Sequence, residues 1–400
     1  MSDFFAAARE RYLASNAETL RWMLARPPLR GAFVNTKLNP LTLVDYSAVD
    51  GWRSPDHVYG WIQGRALEAI VTHAAAFERE NPALTTALDI AGHRLYAALD
   101  PLRATDGHVY FCYDRDMRPI RFEGETFVPQ TQPADIYTFS DTFAAKGLVA
   151  AAARYAPADL PRQLDLLATV IEAIEDDRFQ IDEKVPLSRA MRDAEAADFG
   201  PRMIMLSAGA LLTRIGRRDL TGFADRFIGH VIDNYFDPAS GLLRNVPGED
   251  RCNVGHGIEF VGFALDYLER DADPELLRVL ETILISSFDK GFVGPGVRLV
   301  VSAASGAPIS PYCPWWSLPE TIRSAALCHE RSHSAESLRV WRKADEVFFR
   351  DFWRPGTGIA YQCLTDEGPI DYVPATPDLD PGYHTGLSLL AAIDMVGRRS

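Results

Sequence analysis

The feature that most constrains this chain is the rhythm of its helix breaks. Apolar residues recur at helical spacing in twelve stretches, and the links between them alternate between short and long. The first stretch covers residues 2–25 and stops at Pro27-Pro28. A loop leads to the second, expected over residues 54–79 with Ser54 as N-cap and Pro55 in the first turn. Asn81-Pro82 restarts the chain at once as a third helix, to residue 99. The same short link joins the fourth and fifth helices (135–155, then 157–176), the sixth and seventh (202–215, 219–235), the eighth and ninth (ending at 268, then 273–288), and the tenth and eleventh (317–330, 334–352). A twelfth opens at His384 and ends at Val396. Only residues 108–128 alternate rather than spiral. There Val109-Tyr110-Phe111-Cys112-Tyr113, the turn Asp114-Arg115-Asp116 and residues 119–122 read as a β-hairpin.

Short links make antiparallel helical hairpins. Twelve helices with alternating short and long links predict six helical hairpins closed into a double ring: an all-α (α/α)6 barrel with a small β-hairpin in the loops, one domain over residues 1–400. A helical solenoid fits the same count less well, because solenoid repeats are more uniform and no exact repeat is visible. In the barrel all even-numbered helices run the same way, so their N-termini and the long loops gather at one mouth. Long loops in a compact domain are usually functional.

The formal charge of −14 argues against a general nucleic-acid or anionic-membrane surface and suits a small-molecule enzyme. No apolar run approaches the roughly 18 residues of a membrane span. Met1-Ser2-Asp3-Phe4 has neither the basic nor the apolar region of a signal peptide. Five cysteines, odd in number and without CxxC spacing, read as reduced thiols in a cytoplasmic protein.

The expected mouth collects chemistry. The second helix presents Trp61 and Arg65 one turn apart, and the eighth presents His256 and Glu259 at i and i+3 of its first turn. The tenth is preceded by Trp315 and Trp316 and carries Glu320; the twelfth opens with His384. Two imidazoles work as acid and base near neutral pH. An arginine or a helix N-terminus stabilises an enolate oxygen, and aromatic faces beside carboxylates suit a sugar. Each residue also has a purely structural reading: Trp61 as wall packing, Arg65 as a paired charge, Trp315 and Trp316 as loop anchors, His384 as a cap. Cys328-His329-Glu330 with His333 has metal-type ligands but no zinc framework around it. No HExxH, P-loop, GxGxxG or GxSxG is present, and no cofactor or metal is expected.

At Trp61-Ile62-Gln63-Gly64-Arg65, Gly255-His256-Gly257-Ile258-Glu259, Trp315-Trp316 with Glu320, and Gly382-Tyr383-His384, the chain resembles the N-acylglucosamine 2-epimerase family, which includes cellobiose 2-epimerases and mannose and sulfoquinovose isomerases. The four motifs fall in order across nearly the whole chain. The resemblance implies an (α/α)6 barrel, metal-free catalysis, His256 and His384 as the acid/base pair, and Arg65 near the reacting oxygens. It further implies that Glu259 assists His256 or ring opening, that Trp61, Trp315 and Trp316 shape the sugar site with Glu320 beside them, and that a homodimer forms. There are departures. Phe260-Val261-Gly262-Phe263 stands where the family often has a Trp, Ser317-Leu318-Pro319 replaces the usual Gln or His, and Arg202-Met203-Ile204-Met205 lacks the Asn and His of cellobiose epimerases. The expected activity is 2-epimerisation of an open-chain aldose of the N-acetylglucosamine/N-acetylmannosamine type or a related free sugar, through an enediolate. The alternatives are an aldose–ketose isomerase of mannose type, a glycosidase or lyase using Glu259 and Glu320, and a non-catalytic sugar-binding protein.

Overall fold

Local chemistry sets where the helices start. Asn81 accepts from the Leu84 amide (3.2 Å) with Pro82 at N1, and Asn253 accepts from the His256 amide (3.2 Å). Thr138 and Asp141 form a reciprocal capping box. The computed structural model describes residues 2–124, 126–372 and 376–398. Among these, thirteen α-helices follow in order: α1 (Ser2–Ala25), α2 (Gly60–Phe77), α3 (Pro82–Leu99), α4 (Phe139–Tyr155), α5 (Leu160–Glu175), α6 (Arg189–Ala194), α7 (Gly200–Arg214), α8 (Gly222–Tyr235), α9 (Val254–Tyr267), α10 (Pro274–Gly291), α11 (Ser317–Ser332), α12 (Ala335–Val347) and α13 (His384–Gly397). Twelve are the expected ones. The extra, α6, is a short piece inside a long link, capped by Ser188, whose hydroxyl accepts from the Met191 amide at 3.2 Å.

The second helix starts later than its sequence suggests. Ser54 and Pro55 do not open it. Val58 instead exchanges backbone hydrogen bonds with Tyr113 (3.0 and 2.8 Å), and the Gly60 amide donates to the Phe111 carbonyl at 3.0 Å. Residues 55–59 therefore run beside the hairpin. Gly60 sits so close to it that a Cβ would lie 2.3 Å from the Tyr110 carbonyl oxygen. The hairpin itself has a third strand: β1 (Cys112–Tyr113), β2 (Pro119–Glu123) and β3 (Thr126–Pro129) form an antiparallel meander. Shorter strand pairs fasten other long links, among them Cys313–Pro314 with Cys363–Thr365.

The helices form two rings. The inner ring runs α2, α4, α7, α9, α11, α13, each against the next, and α13 returns to α2. The outer ring is α1, α3, α5, α8, α10 and α12. Inner helices are buried nearly all round, as α4 is from Phe139 to Ala152, whereas α12 buries one stripe through Val340, Trp341 and Ala344. Gly64 and Gly147 bring α2 and α4 into contact: a Cβ on Gly64 would lie 2.5 Å from the Phe143 backbone, and one on Gly147 2.6 Å from the Gly64 carbonyl. The outer ring closes where the Trp341 indole donates to the Tyr12 hydroxyl at 2.9 Å, beside the Arg11–Asp345 ion pair (2.5 Å). Among the described residues, no helix is long and apolar enough to cross a membrane, and the five cysteines are buried and unbridged.

Candidate active site

The six inner helices bring their N-terminal turns to one end of the barrel, and rings at those turns touch in sequence. Trp61 on α2 packs on Phe139 and Phe143 of α4 (centroids 5.4 and 5.3 Å apart), and Phe143 meets Tyr383 beside α13 at 5.8 Å. Phe199, at the start of α7, meets His256 of α9 at 6.4 Å. Trp316 at the head of α11 lies against both imidazoles, 5.6 Å from His256 and 5.7 Å from His384, tilted by 31° and 33°. Gly255 makes room for that indole, since a Cβ there would lie 2.6 Å from its ring. Trp315 meets His384 edge-on at 6.3 Å.

The two histidines differ in their surroundings. His256 keeps part of its surface open, and its Nδ1 is buried without a hydrogen-bond partner. Burial, then the charges of His384 and Arg65, push it down to about 4, so it is a neutral imidazole at pH 7. His384 is buried, and its Nδ1–H donates to Glu320 Oε1 at 3.1 Å; Glu259 Oε1 lies 3.7 Å away. That bond leaves Nε2 as the nitrogen available for proton transfer. Burial and Arg65 lower His384, but Glu320 opposes them by hydrogen bond and by charge. On balance His384 stays below its ordinary value, and of the two imidazoles it is the one whose ring proton has a carboxylate in contact as counter-ion. Glu259 stands on the His384 side of the cluster, with no hydrogen bond to His256.

His384 is held by residues that the sequence alone did not single out. Asp380 caps its turn three times: Oδ1 accepts from the Tyr383 and His384 amides (2.9 and 3.1 Å) and Oδ2 from the Thr385 amide (3.0 Å). The His73 Nε2–H donates to the Gly382 carbonyl at 3.1 Å. Its ring fits only because residue 386 is glycine, where a Cβ would lie 2.4 Å from Nε2.

Arg65 stacks its guanidinium on Phe143 (4.2 Å), Trp61 (4.9 Å) and Tyr383 (5.4 Å). Below it, fully buried Lys146 donates to the Tyr383 hydroxyl at 2.5 Å and pairs with Glu68 at 3.2 Å. Arg323 pairs with Glu320 at 3.2 Å. Three cations, Arg65, Lys146 and Arg323, thus stand among three carboxyl groups, Glu68, Glu259 and Glu320. The two neighbouring carboxylates diverge: burial and Glu320 raise Glu259, while Arg323 and His384 overcome burial and lower Glu320. A lone lysine in the apolar run Phe143-Ala144-Ala145-Lys146-Gly147-Leu148 was the sequence signal for this layer. His73 had none.

All eight residues expected at the mouth, Trp61, Arg65, His256, Glu259, Trp315, Trp316, Glu320 and His384, stand in this one connected cluster. Several buried polar atoms here have no hydrogen-bond partner: Nε1 of Trp61 and Trp315, Nε of Arg65, Nδ1 of His256, Oε1 of Glu259. Such a set of donors and acceptors beside aromatic faces fits a polyhydroxylated ligand. Among the described residues, the one group of three close metal-type ligands is Glu259, Glu320 and His384, within 4.8 Å of one another, and not the stretch around Cys328 and His333. Arg65 and Arg323, already beside these carboxyl groups, make it a poor cation site.

No family model matches the chain, and no curated protein matches its sequence. Its fold is that of solved sugar epimerases and isomerases. The cellobiose 2-epimerase of Bacillus thermoamylovorans B4167 superposes with a TM-score of 0.76 at 16% identity, covering 98% of this chain and 100% of that one. The cellobiose 2-epimerase of Spirochaeta thermophila DSM 6192 gives 0.74 at 15% identity, over 99% and 98%. A D-mannose isomerase gives 0.71 at 12% identity, over 96% and 97%. The (α/α)6 barrel expected from the helix rhythm is the fold observed.

Proposed function

We propose that the chain is a carbohydrate epimerase or isomerase that moves a proton at C2 of an open-chain aldose. One observation carries the reading: two imidazoles lie against the same indole, Trp316, one neutral with an open surface, the other tied to a carboxylate counter-charge. A fold shared with sugar epimerases and an isomerase supports it.

His256 takes the C2 proton. The C–H electron pair becomes the C1–C2 double bond, and the carbonyl electrons move to O1. Arg65 balances that charge from its aromatic cage. His384, protonated on Nε2 with Glu320 as its counter-ion, returns a proton to the opposite face of C2, and O1 reforms the carbonyl. His256 leaves the cycle protonated and His384 neutral, so solvent must reset the pair; in the reverse direction the roles exchange. Delivery to C1 instead, with the O2 proton moving to O1, gives the ketose. Glycoside cleavage is less well served. Glu320 is committed to His384 and Arg323, and both carboxylates are fully buried beneath the imidazoles.

The test is proton NMR in D2O with N-acetylglucosamine, N-acetylmannosamine, glucose, mannose and cellobiose in separate tubes. The C2 proton of at least one should disappear as an epimer or ketose grows in. His256→Ala and His384→Ala should each slow this by about 10²–10⁴-fold. Near-normal exchange in either variant sinks the assignment. Cleavage of a glycosidic bond, or saturable binding with no exchange, would replace it with the glycosidase or the binding-protein reading.

A further inference from the structure

Beneath the layer of paired charges the barrel is hollow. A pocket of about 620 Å³ occupies the C-terminal half of the ring, and all six inner helices line it. Its closed end is Glu68, Arg323 and Tyr383, the underside of the catalytic layer. Its walls are apolar, with Val71, Leu211, Phe263, Leu387 and Leu390. It is empty because inward positions that would carry large side chains in a filled barrel are Ala76, Ala150, Ala153 and Ala391. Its open end carries Arg214, Asp266 and Asp394, all exposed to solvent. The sugar-type cluster is on the other side of the layer, so this space is not the mouth.

Two features define what fits. At the closed end, Glu68 Oε2 is a buried acceptor without a hydrogen bond, though it is ion-paired to Lys146, and Arg323 Nε is a buried donor without one. A hydroxyl serves both, because it donates and accepts. The charges lining the pocket cancel: Arg154, Arg214 and Arg323 against Glu68, Asp266 and Asp394. A net charge on the ligand would meet no complement, while an apolar body would cover the aliphatic walls.

We propose that this lower lumen is a second ligand site, taking a small uncharged amphiphile: an apolar body with a hydroxylated head seated on Glu68 and Arg323. Its occupancy bears on the imidazole pair. Arg323 is the partner of Glu320, which holds His384, so a head group that draws Arg323 downward loosens that pairing. The binding stands independently of the epimerase reading; the effect on turnover rests on it.

Titration calorimetry with 1,2-octanediol tests the site. Wild type should bind one equivalent saturably, with affinity unaffected by a saturating sugar at the mouth. Ala153→Phe on α4 and Ala391→Phe on α13 each fill the pocket from a different side, and neither touches the catalytic cluster. Each should weaken binding about tenfold or more while keeping wild-type melting behaviour and basal turnover. Absence of binding to wild type, displacement by sugar, or undiminished binding in a folded filled variant overturns the site. Saturating diol should slow sugar turnover in wild type and leave it unchanged in the filled variants; unchanged turnover in wild type overturns the coupling to His384.

Discussion

Glu320→Gln is the most informative single change in the imidazole cluster. In wild type the Glu320 carboxylate accepts from His384 Nδ1 at 3.1 Å and faces Arg323 at 3.2 Å, with both carboxylate and guanidinium side chains out of solvent. Glutamine keeps the shape and an acceptor but removes the charge. Glu320 raises His384 through both its hydrogen bond and its charge, so without it burial and Arg65 drive His384 further down. A charge-assisted hydrogen bond is worth about 1.5–3 kcal/mol, which corresponds to roughly 1–2 pH units. A group that must be protonated to act loses activity above its pKa, so the alkaline limb of the rate profile should move down by that amount. Turnover at pH 7 should fall about 10–100-fold, and part of it should return on acidification. The assay is the initial rate of C2 proton loss by NMR in D2O, measured from pH 5 to 9. Because the change strands the buried Arg323 charge, the fold needs its own control. Glu320→Gln with Arg323→Met should recover the melting temperature without recovering the rate. A folded Glu320→Gln enzyme with the wild-type rate at pH 7 and an unmoved alkaline limb would refute the role given to His384 and its counter-ion.

His73 makes stability depend on acid. Its folded value is pushed down to about 4 by burial, against an unfolded value near 6.5, so the unfolded chain binds the extra proton between those limits. Its contribution is complete above about pH 6.5 and drains away as pH falls toward 4, by roughly 3 kcal/mol in all. Urea titrations at pH 7 and 4.5 should show this loss, and His73→Gln should remove the His73 share while leaving that of His256, which burial lowers as far. Gly386→Ala should cost about 1–3 kcal/mol through the 2.4 Å approach to His73, read as a lower urea midpoint; an unchanged midpoint would mean that the ring moves aside freely. Lys146→Met strands Glu68 in the core and should cost about 3–5 kcal/mol in the same titration. Lys146→Met with Glu68→Met should regain most of it.

The barrel was readable because its links alternate in length. Its short links, several of them marked by Pro, pair the helices as hairpins, and the long links between pairs separate one hairpin from the next. The second helix was misjudged because Ser54-Pro55 is a good local start signal that long-range pairing of Val58 with Tyr113 overrides. The extra strand in residues 126–129 and the paired strands in the long links depend in the same way on distant partners. At the mouth, residues at helix starts were legible because all inner N-termini converge. What stayed hidden was support arriving from further along each helix: Glu68, His73, Lys146 and Arg323 lie two or more turns in or face another helix, and their spacing alone does not separate a paired charge from a solvated one. Asp380 carried no signal in the sequence, because its value lies in three amide contacts made on the next turn.

Trp316 gives the cluster an optical property. Indole emission is quenched by a protonated imidazole in contact with the ring, and this indole lies against both His256 and His384. Among the described residues, Trp316 alone of the seven tryptophans makes that double contact. The difference in fluorescence between the wild type and Trp316→Phe therefore reports how many protons the pair carries. Such a signal follows the resting enzyme before any sugar is identified, and a time-resolved version would show the resetting step that chemical assays of product never see.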